Sequence, residues 1–283
     1  MTSTHGNAFE SLARLGYGAR GLVYCLVGGL ALIAAAGSGG QTGGSRSALA
    51  TLLDQPFGRV ILAIVTLGLA GFAVWRIVEG VTDADRRGGS GKALAVRTAH
   101  ILSGLAYAGL ALTAAGMALG RGRGQGDDQA ARDWTAWLLD KPFGQWLVGL
   151  AGLVIIGTGI SFAARAWRGR VTDHMALDEN TRRWAVPLGR LGFAARGLIF
   201  VLVGLFLVLA AYHGNSSEVK GLGGALQALR SQSYGWVLLG LTAAGLLAFG
   251  IFGFVQALYR RIDAPDAKNI PSAVARGANS LKP

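Results

Sequence analysis

Charged residues and cysteine are both scarce in this chain. Asp, Glu, Lys and Arg make up only 15% of its 283 residues, whereas soluble domains average roughly a quarter. Cys25 is the one cysteine, which excludes a disulfide within the chain and a cysteine-rich metal site. Hydrophobic residues make up 52%, which is more than a soluble core can hide. We therefore expect lipid to contact part of the surface.

Six long apolar stretches occupy most of the sequence. At ~1.5 Å of rise per helical residue, each can cross the ~30 Å of hydrocarbon in a bilayer. Their residues do not alternate in polarity, as the strands of a membrane β-barrel would. The predicted spans are Leu15–Ala36, Phe57–Glu79, Val96–Leu119, Phe143–Trp167, Leu188–Tyr212 and Tyr234–Tyr259.

The sequence at the start of a span occurs three times along the chain. Ala13–Tyr24 returns closely as Gly189–Phe200 and more distantly as Val96–Tyr107. Each unit then has a glycine-rich connection, a short segment with apolar residues three to four positions apart, and a second span. That spacing predicts a short helix lying at the membrane interface. The units are residues 10–83, 93–173 and 186–263 of a single membrane domain, followed by a tail, 264–283, that we expect to be flexible and cytoplasmic.

These repeats predict an all-α integral membrane protein with six transmembrane helices. Each unit contributes two spans, an even number, so the three units should run the same way through the membrane. Parallel repeats are related by an axis along the membrane normal, here a pseudo-threefold axis. The connections inside the units carry 7 Lys and Arg residues, whereas the tails and the connections between consecutive units carry 13, so we expect both termini to be cytoplasmic.

The second span of the first two units restarts after Leu-Asp-x-Pro-Phe-Gly. Asp54 and Asp140 stand where a helix N-cap is expected, and Pro56 and Pro142 fall in the predicted first turn, where no amide donor is missed. The third unit relaxes this sequence to Arg230–Gly235 and lacks the Pro-Phe pair.

The Arg-Leu-Gly-aromatic-x-Ala-Arg-Gly-Leu opening and the Leu-Asp-x-Pro-Phe-Gly restart together resemble the bacterial family called domain of unknown function 1206. The resemblance extends over about residues 10 to 265. It implies units of two spanning helices, commonly three per chain, in a bacterial integral membrane protein, which we place in the plasma membrane. The middle copy departs from the pattern with Ser103 in place of the second arginine. The family implies no activity.

Small residues recur every two turns along the first spans. The sequence Gly16–Gly21 spells a dinucleotide-binding fingerprint, but no strand precedes it, and Ala194 replaces its second glycine in the third copy. A small residue every two turns lets helices approach closely in lipid, so we interpret these positions as helix packing. They are Gly21, Gly28, Gly104, Gly197 and Gly204.

Ionisable residues inside the spans are the candidate functional residues, because an intramembrane charge is costly. Arg20 and Arg196 lie about two turns inside their helices, and aromatic residues flank both on the same helix face. One interpretation is a structural clamp in which arginines pair with acids at the same depth. The other is a site for an anion or a lipid phosphate. The candidate residues are Arg14, Arg20, Arg97, Ser103, Arg190, Arg196, Glu79, Asp83, Asp173 and Asp263.

The sequence contains no pairing of a nucleophile with a base and no metal-ligand spacing. We interpret Asp127 and Asp128, in a glycine-rich loop, as a solvated turn. We therefore expect neither an enzyme nor a cofactor. The formal net charge of +12 suits anionic lipid head groups better than nucleic acid.

Two functions remain open. The first is a non-enzymatic scaffold or accessory subunit that contacts membrane lipids and either a protein partner or further copies of itself. The second is a transporter or channel for an anionic solute or lipid head group, with its path along the pseudo-threefold axis. A water-filled axis lined by Arg20, Ser103 and Arg196 would favour the transporter, whereas a dry, packed axis would favour the scaffold.

Overall fold

A computed structural model describes residues 4–37, 42–82, 90–122, 125–173 and 175–260. The described chain is helical, with one isolated bridge between Met175 and Arg260. Six helices are long and apolar enough to cross a membrane, which confirms the six predicted spans. The helices are α1 (Thr4–Ala35), α2 (Ser45–Leu53), α3 (Gly58–Thr82), α4 (Gly91–Ala118), α5 (Asp127–Leu139), α6 (Gly144–Trp167), α7 (Glu179–His213), α8 (Leu222–Arg230) and α9 (Gly235–Tyr259).

The helices α1 and α7 begin well before the apolar stretches that predict them. α7 starts at Glu179 instead of Leu188, and the side chain of Asp178 caps it by accepting a hydrogen bond from the amide of Thr181 at 3.2 Å. α1 starts at Thr4 instead of Leu15. Hydropathy marks the part of a helix that lipid can surround, whereas the hydrogen-bonded helix continues through polar residues on either side.

The predicted N-caps of the second spans are wrong. Asp54 and Asp140 are the C-cap residues of the short helices α2 and α5. The second spans start four residues later, after Phe57 and Phe143, which adopt left-handed conformations with φ of 60° and 62°. The Leu-Asp-x-Pro-Phe-Gly sequence is therefore a tight turn between two helices, with the proline in the turn instead of in the helix.

The glycine that ends this turn lies directly against the preceding short helix. A Cβ atom on Gly58 would collide with the carbonyl oxygen of Leu52, and one on Gly144 with that of Leu138. The third unit makes the same contact at Gly235, although Tyr234 there has a φ of −111°. The close contact thus survives the loss of the Pro-Phe pair, while the left-handed residue does not.

The spans form an incomplete ring. The most extensive contacts join different units, with α9 against α1, α3 against α4 and α6 against α7. Within the outer units, α1 packs on α3 and α7 packs on α9. Within the middle unit, α4 and α6 make almost no backbone contact over the part of the chain that the structure describes. We call this opening between α4 and α6 the α4–α6 seam.

Glycine permits the contacts inside the two outer units. In the first unit, a Cβ atom on Gly16 would lie 2.7 Å from the amide nitrogen of Phe72. In the third unit, a Cβ atom on Gly192 would lie 2.6 Å from the Cα atom of Phe249. The two pairs occupy equivalent positions of the repeat, so the same backbone approach is built twice.

The middle unit has larger residues where these contacts would form. Ala99 stands at the position of the first-span glycine, and Thr158 stands at the position of the phenylalanine. Val154 stands at the position of Gly68 and Gly245, which lie against alanine side chains of the first spans in the outer units. These larger residues account for the seam, because added side-chain volume at a tight helix contact forces the backbones apart.

The three short helices meet at one end of the bundle through two carboxylates. Asp127 accepts a hydrogen bond from the amide of Arg46 at 2.8 Å. Asp128 accepts hydrogen bonds from the amides of Gly221 at 2.6 Å and Gly224 at 3.1 Å. The interpretation of this pair as a solvated turn is wrong, because both residues begin α5 and cap the N-terminal ends of α2 and α8.

Candidate functional site

The first arginine of each repeat lies at the end of a neighbouring span. Its guanidinium donates hydrogen bonds to backbone carbonyls in the last turn of that span, which lack donors within their own helix. A cation is also favoured at this end of a helix dipole. The bonds run from Arg14 to Ala257 and Leu258, from Arg97 to Gly80 and Val81, and from Arg190 to Ala166.

These three arginines thus join the units through carbonyl oxygens. The sequence predicts carboxylate partners instead. Asp83 and Asp263 lie outside the described residues, and Asp173 is exposed. Arg14 also forms an ion pair with Glu10 at 2.7 Å, a partner on its own helix.

Glu79 lies at the centre of a separate buried cluster. Only 2% of this residue is exposed. Its carboxylate accepts hydrogen bonds from Arg76 and Arg260 at 2.7 and 2.8 Å, and the His100 ring nitrogen lies 3.4 Å away. These partners come from α3, α4 and the residue after α9. The cluster ties three spans together at the end where the termini lie, which is the clamp role that a buried, paired carboxylate can have.

Arg20 is surrounded by aromatic rings. It is 6% exposed, and its Nη2 donates a hydrogen bond to the side-chain oxygen of Gln256 on α9. The guanidinium carbon lies 5.2 Å from the ring centre of Tyr17, 4.9 Å from Phe72 and 5.0 Å from Phe249. Such contacts contribute from roughly 0.5 kcal/mol when exposed to about 2 kcal/mol or more when desolvated.

Arg196 has an equivalent aromatic cage. It is 7% exposed. Its guanidinium carbon lies 5.2 Å from the ring centre of Tyr24, 4.9 Å from Phe162, 5.1 Å from Phe200 and 4.7 Å from Phe249. Phe249 therefore contacts both buried arginines, which brings two positive charges into one aromatic interior.

Both buried arginines keep hydrogen-bonding capacity that the described residues do not use. The Nε atoms of Arg20 and Arg196 are removed from solvent and have no acceptor. The carboxylates within ion-pairing distance of arginine in the described chain belong to other pairs. A desolvated guanidinium without a counter-charge is costly, so this interior favours an anion.

Several residues of this interior have no signal in the repeated opening. Phe249, Gln256 and Phe162 all lie on second spans, where the three copies have diverged further. Tyr107 could be found, because it stands where the first copy has Tyr24, and it packs edge-on to Phe72 with ring centres 4.7 Å apart. Ser103 lies half-buried on α4.

The predicted packing glycines lie at the contacts between units. A Cβ atom would lie 2.7 Å from the Gly250 carbonyl oxygen at Gly21 and 2.9 Å from the Ala73 carbonyl oxygen at Gly104. Backbone oxygens lie equally near the remaining three, Gly28, Gly197 and Gly204. Over the described residues, no group of three or more His, Cys, Asp or Glu side chains could hold a metal ion.

Comparison with known proteins gives a family and no activity. A sequence model described as Domain of Unknown Function (DUF1206) matches residues 15–83, 98–169 and 191–260. The chain is also similar to a Bacillus subtilis (strain 168) protein described as "Uncharacterized protein YxxB", with 32% identity over 256 residues. That match covers 89% of this chain and 92% of the relative. No solved structure matches.

Proposed function

Since this multi-pass membrane chain belongs to the DUF1206 family, whose description assigns no activity, we propose a function from its packing. The proposal is a non-enzymatic scaffold or accessory subunit of the bacterial plasma membrane. The observation that carries it is the interior around Phe249, where aromatic rings fill the space around both buried arginines. A packed centre supports a protein that holds or is held by others more than one that moves a solute along its axis.

Surface features support an association role as well. The α6 helix packs on α7 along one face and exposes much of the rest, including Trp146 at 80% and Leu150 at 60%. Large apolar side chains on the outside of a bundle suit either lipid or another membrane helix. α6 is thus the span with most room for a protein partner or a second copy of the chain.

Co-purification from native membranes tests the scaffold role. We expect a tagged chain, extracted in a mild detergent, to retain a defined partner or to run as an oligomer by mass photometry. Replacing Trp146 and Leu150 together with alanine should release that partner, because both lie on the free face of α6. A monomer that retains no protein under these conditions would contradict the proposal.

A transporter for anionic solutes is the second candidate. The observation in its favour is the pair of buried arginines whose Nε atoms have no hydrogen-bond partner among the described residues. The test is uptake of radiolabelled phosphate or chloride into vesicles that contain the purified chain. Arg20→Gln and Arg196→Gln should abolish uptake if a path follows the axis. Background uptake in wild-type vesicles would favour the scaffold.

The orientation of the termini belongs to the same proposal. The excess of basic residues in the tails and between units supports cytoplasmic termini. A phosphatase that is active only outside the cytoplasm, fused after Pro283, should be inactive, and a green fluorescent protein at the same place should fluoresce. The opposite pattern would reverse the proposed topology.

A further inference from the structure

A surface pocket lies where the short helices of the three units meet. Its volume of about 360 Å³ falls within the range of roughly 300–1,000 Å³ that is usual for small-molecule sites. It shares no lining residue with the aromatic interior around the buried arginines. Each of the three units contributes to its lining, which includes Thr42, Asp128, Arg132, Lys220, Gly224 and Gln227.

Glycine in the third unit leaves room for this pocket. Counted back from the turn glycine of each unit, Gly223 of α8 stands where α2 has Arg46 and α5 has Arg132. The next residue, Gly224, also lines the pocket, and a Cβ atom on it would lie 2.7 Å from the Cβ atom of Lys220. One wall of the pocket is therefore bare backbone at a position where the other two units have a long side chain.

Two cations face the pocket from neighbouring segments. The Nε of Arg132 on α5 donates a hydrogen bond to the carbonyl of Val219 at 3.1 Å, next to Lys220 in the chain. The Nζ of Lys220 lies 4.6 Å from the ring centre of Phe206 on α7. Within the described part of the chain, neither cation forms an ion pair with a carboxylate. Both charges are thus available to a ligand.

The acidic residue of the pocket does not cancel these charges. One oxygen of Asp128 accepts hydrogen bonds from the amides of Gly221 at 2.6 Å and Gly224 at 3.1 Å. Those bonds hold its carboxylate at the start of α8, outside ion-pairing distance of Arg132 and Lys220. With two cations and one carboxylate, the pocket has a net positive charge, which favours an anion.

Neutral polar groups complete the lining. The Thr42 hydroxyl donates a hydrogen bond to the side-chain oxygen of Gln227 at 2.8 Å, which leaves the Gln227 amide nitrogen as a donor. The Ser231 hydroxyl donates to the carbonyl of Ala228 at 2.9 Å, and its oxygen can still accept. These groups beside two cations match a ligand that has hydroxyls next to its anionic group. A guanidinium suits phosphate, which it can contact through two parallel hydrogen bonds.

We infer that this pocket binds a phosphate ester of a small polyol, with the phosphate between Arg132 and Lys220 and the hydroxyls toward Gln227 and Ser231. The site goes beyond the scaffold role and does not depend on it. Such an ester occurs both as the head group of an anionic phospholipid and as a free molecule such as glycerol phosphate. Either form would contact residues of all three units at once.

Binding to the whole chain in phosphatidylcholine nanodiscs tests the inference. Calorimetric titration with glycerol phosphate should show one saturable site per chain if the ligand is a free ester. If it is a lipid head group, nanodiscs with about one-tenth phosphatidylglycerol should yield one retained phosphatidylglycerol per chain by native mass spectrometry, and glycerol phosphate should not displace it. The first result assigns the free molecule and the second assigns the lipid.

Substitutions of the two cations test the site itself. Arg132→Gln and Lys220→Gln should each weaken binding by about tenfold, the effect of one charged hydrogen bond. Arg230→Gln and Arg183→Gln are the matched controls. Arg230 is exposed on α8 outside the pocket lining, and Arg183 is exposed and pairs with Glu179 in the same helix.

A further variant fills the pocket and keeps both cations. Ala228 is half-buried on α8 and lines the pocket. We expect Ala228→Phe to abolish binding while the thermal unfolding temperature stays unchanged, because the added ring occupies the space of the ligand. This variant decides the question if Arg132→Gln or Lys220→Gln fails to fold.

Four outcomes would overturn the inference. The wild-type chain could bind no glycerol phosphate and retain the two lipids equally, or the folded pocket variants could bind as the wild type does. Inorganic phosphate could bind as tightly as glycerol phosphate, which would leave the polyol without a role. Arg230→Gln could weaken binding as much as Arg132→Gln, which would assign the effect to net charge. Binding that falls only in the pocket variants supports the site, whether or not the chain co-purifies with a protein.

Discussion

At the scale of single residues, glycine and arginine have separate roles in this chain. Glycine sets how closely backbones approach at the short turns and at the contacts between units, where a Cβ atom on Gly58, Gly21 or Gly104 would meet backbone atoms. Arginine appears in two layers, with an outer layer bound to carbonyl oxygens at helix ends and an inner layer among aromatic rings. The outer arginines join neighbouring units, and the inner arginines place positive charge inside the bundle.

The turn glycines should be intolerant of substitution. We expect Gly144→Ala to lower the free energy of unfolding by about 1–3 kcal/mol, because the Cβ atom collides with the Leu138 carbonyl and backbone must move. Gly18→Ala is the control, since a Cβ atom at Gly18 meets nothing within 4 Å. It should leave stability unchanged or slightly higher. Steric-trap unfolding in bicelles measures both, and equal effects would contradict this role for Gly144.

Asp127 should make stability depend on pH. Burial raises the pKa of its carboxyl. The hydrogen bond from the Arg46 amide and the positive charge of Arg46 both lower this pKa, but by less than burial raises it. The folded-state pKa lies above the unfolded value, so ionisation of this carboxyl disfavours the folded state. The stability that the protonated carboxyl contributes is therefore lost as the pH rises through the folded-state pKa. Asp127→Asn keeps an oxygen for the Arg46 amide without the charge.

The measurement is the unfolding temperature of both proteins in detergent over a series of pH values. The difference between Asp127→Asn and the wild type should be small at low pH and grow in favour of the variant as the pH rises above the ordinary range of an aspartate. A difference that is constant with pH would show that burial does not perturb this group.

At the scale of helices, the sequence predicts the order of elements along the chain better than the contacts between them. The six spans follow from hydropathy, and the three units follow from the repeated opening. The roles of Asp54 and Asp140 could not be read in the same way, because Leu-Asp-x-Pro-Phe-Gly suits either a helix start or a turn between helices. Only the position of the short helix decides that the aspartate ends one helix and the glycine begins the next.

The sequence predicts the two buried arginines of the interior but not the phenylalanine between them. Arg20 and Arg196 stand out because they are charged residues at the same position of the repeated opening, whereas Phe249 is one of many phenylalanines in apolar sequence. Its contact with both arginines depends on α9 packing on α1 and on α7 at once. That arrangement is three-dimensional and has no pattern in the chain.

We expect each arginine at a helix end to contribute more to the free energy of unfolding than an ordinary surface ion pair does. We expect Arg97→Ala to cost about 1–2 kcal/mol, because the carbonyls of Gly80 and Val81 lose a cation at the end of α3. Arg97→Lys should recover part of that loss, since it keeps the charge but not both bonds. Arg183→Ala should cost less than about 0.5 kcal/mol. Equal losses for Arg97 and Arg183 would show that these bonds add no stability.

At the scale of the whole molecule, the plan is threefold in sequence and asymmetric in packing. The two outer units close on themselves, and the middle unit does not, because Ala99 and Val154 replace glycines. Two carboxylates on α5 of that same unit hold the short helices of the other two. The two spans of the middle unit thus contact each other little, whereas its short helix is tied to the short helices of both other units.

Lipid should reach the middle unit where it cannot reach the others. A spin label on Val154→Cys, in a chain with Cys25→Ala, should collide frequently with dissolved oxygen, which concentrates in the bilayer. A label on Leu239→Cys should be shielded, because Leu239 is fully buried. Both variants must retain the wild-type unfolding temperature. Equal collision rates at the two positions would mean that the seam is closed in the membrane.

The contact between α1 and α9 has a consequence for how the chain is made. Among the described spans, α1 is made well before α9, its main helical neighbour, so Gly21 and Gly28 face no packed backbone until α9 arrives. While the intervening spans are made, α1 therefore stays in the membrane with one closely packing face uncovered. The insertion of α9 then covers that face and joins the first unit to the third.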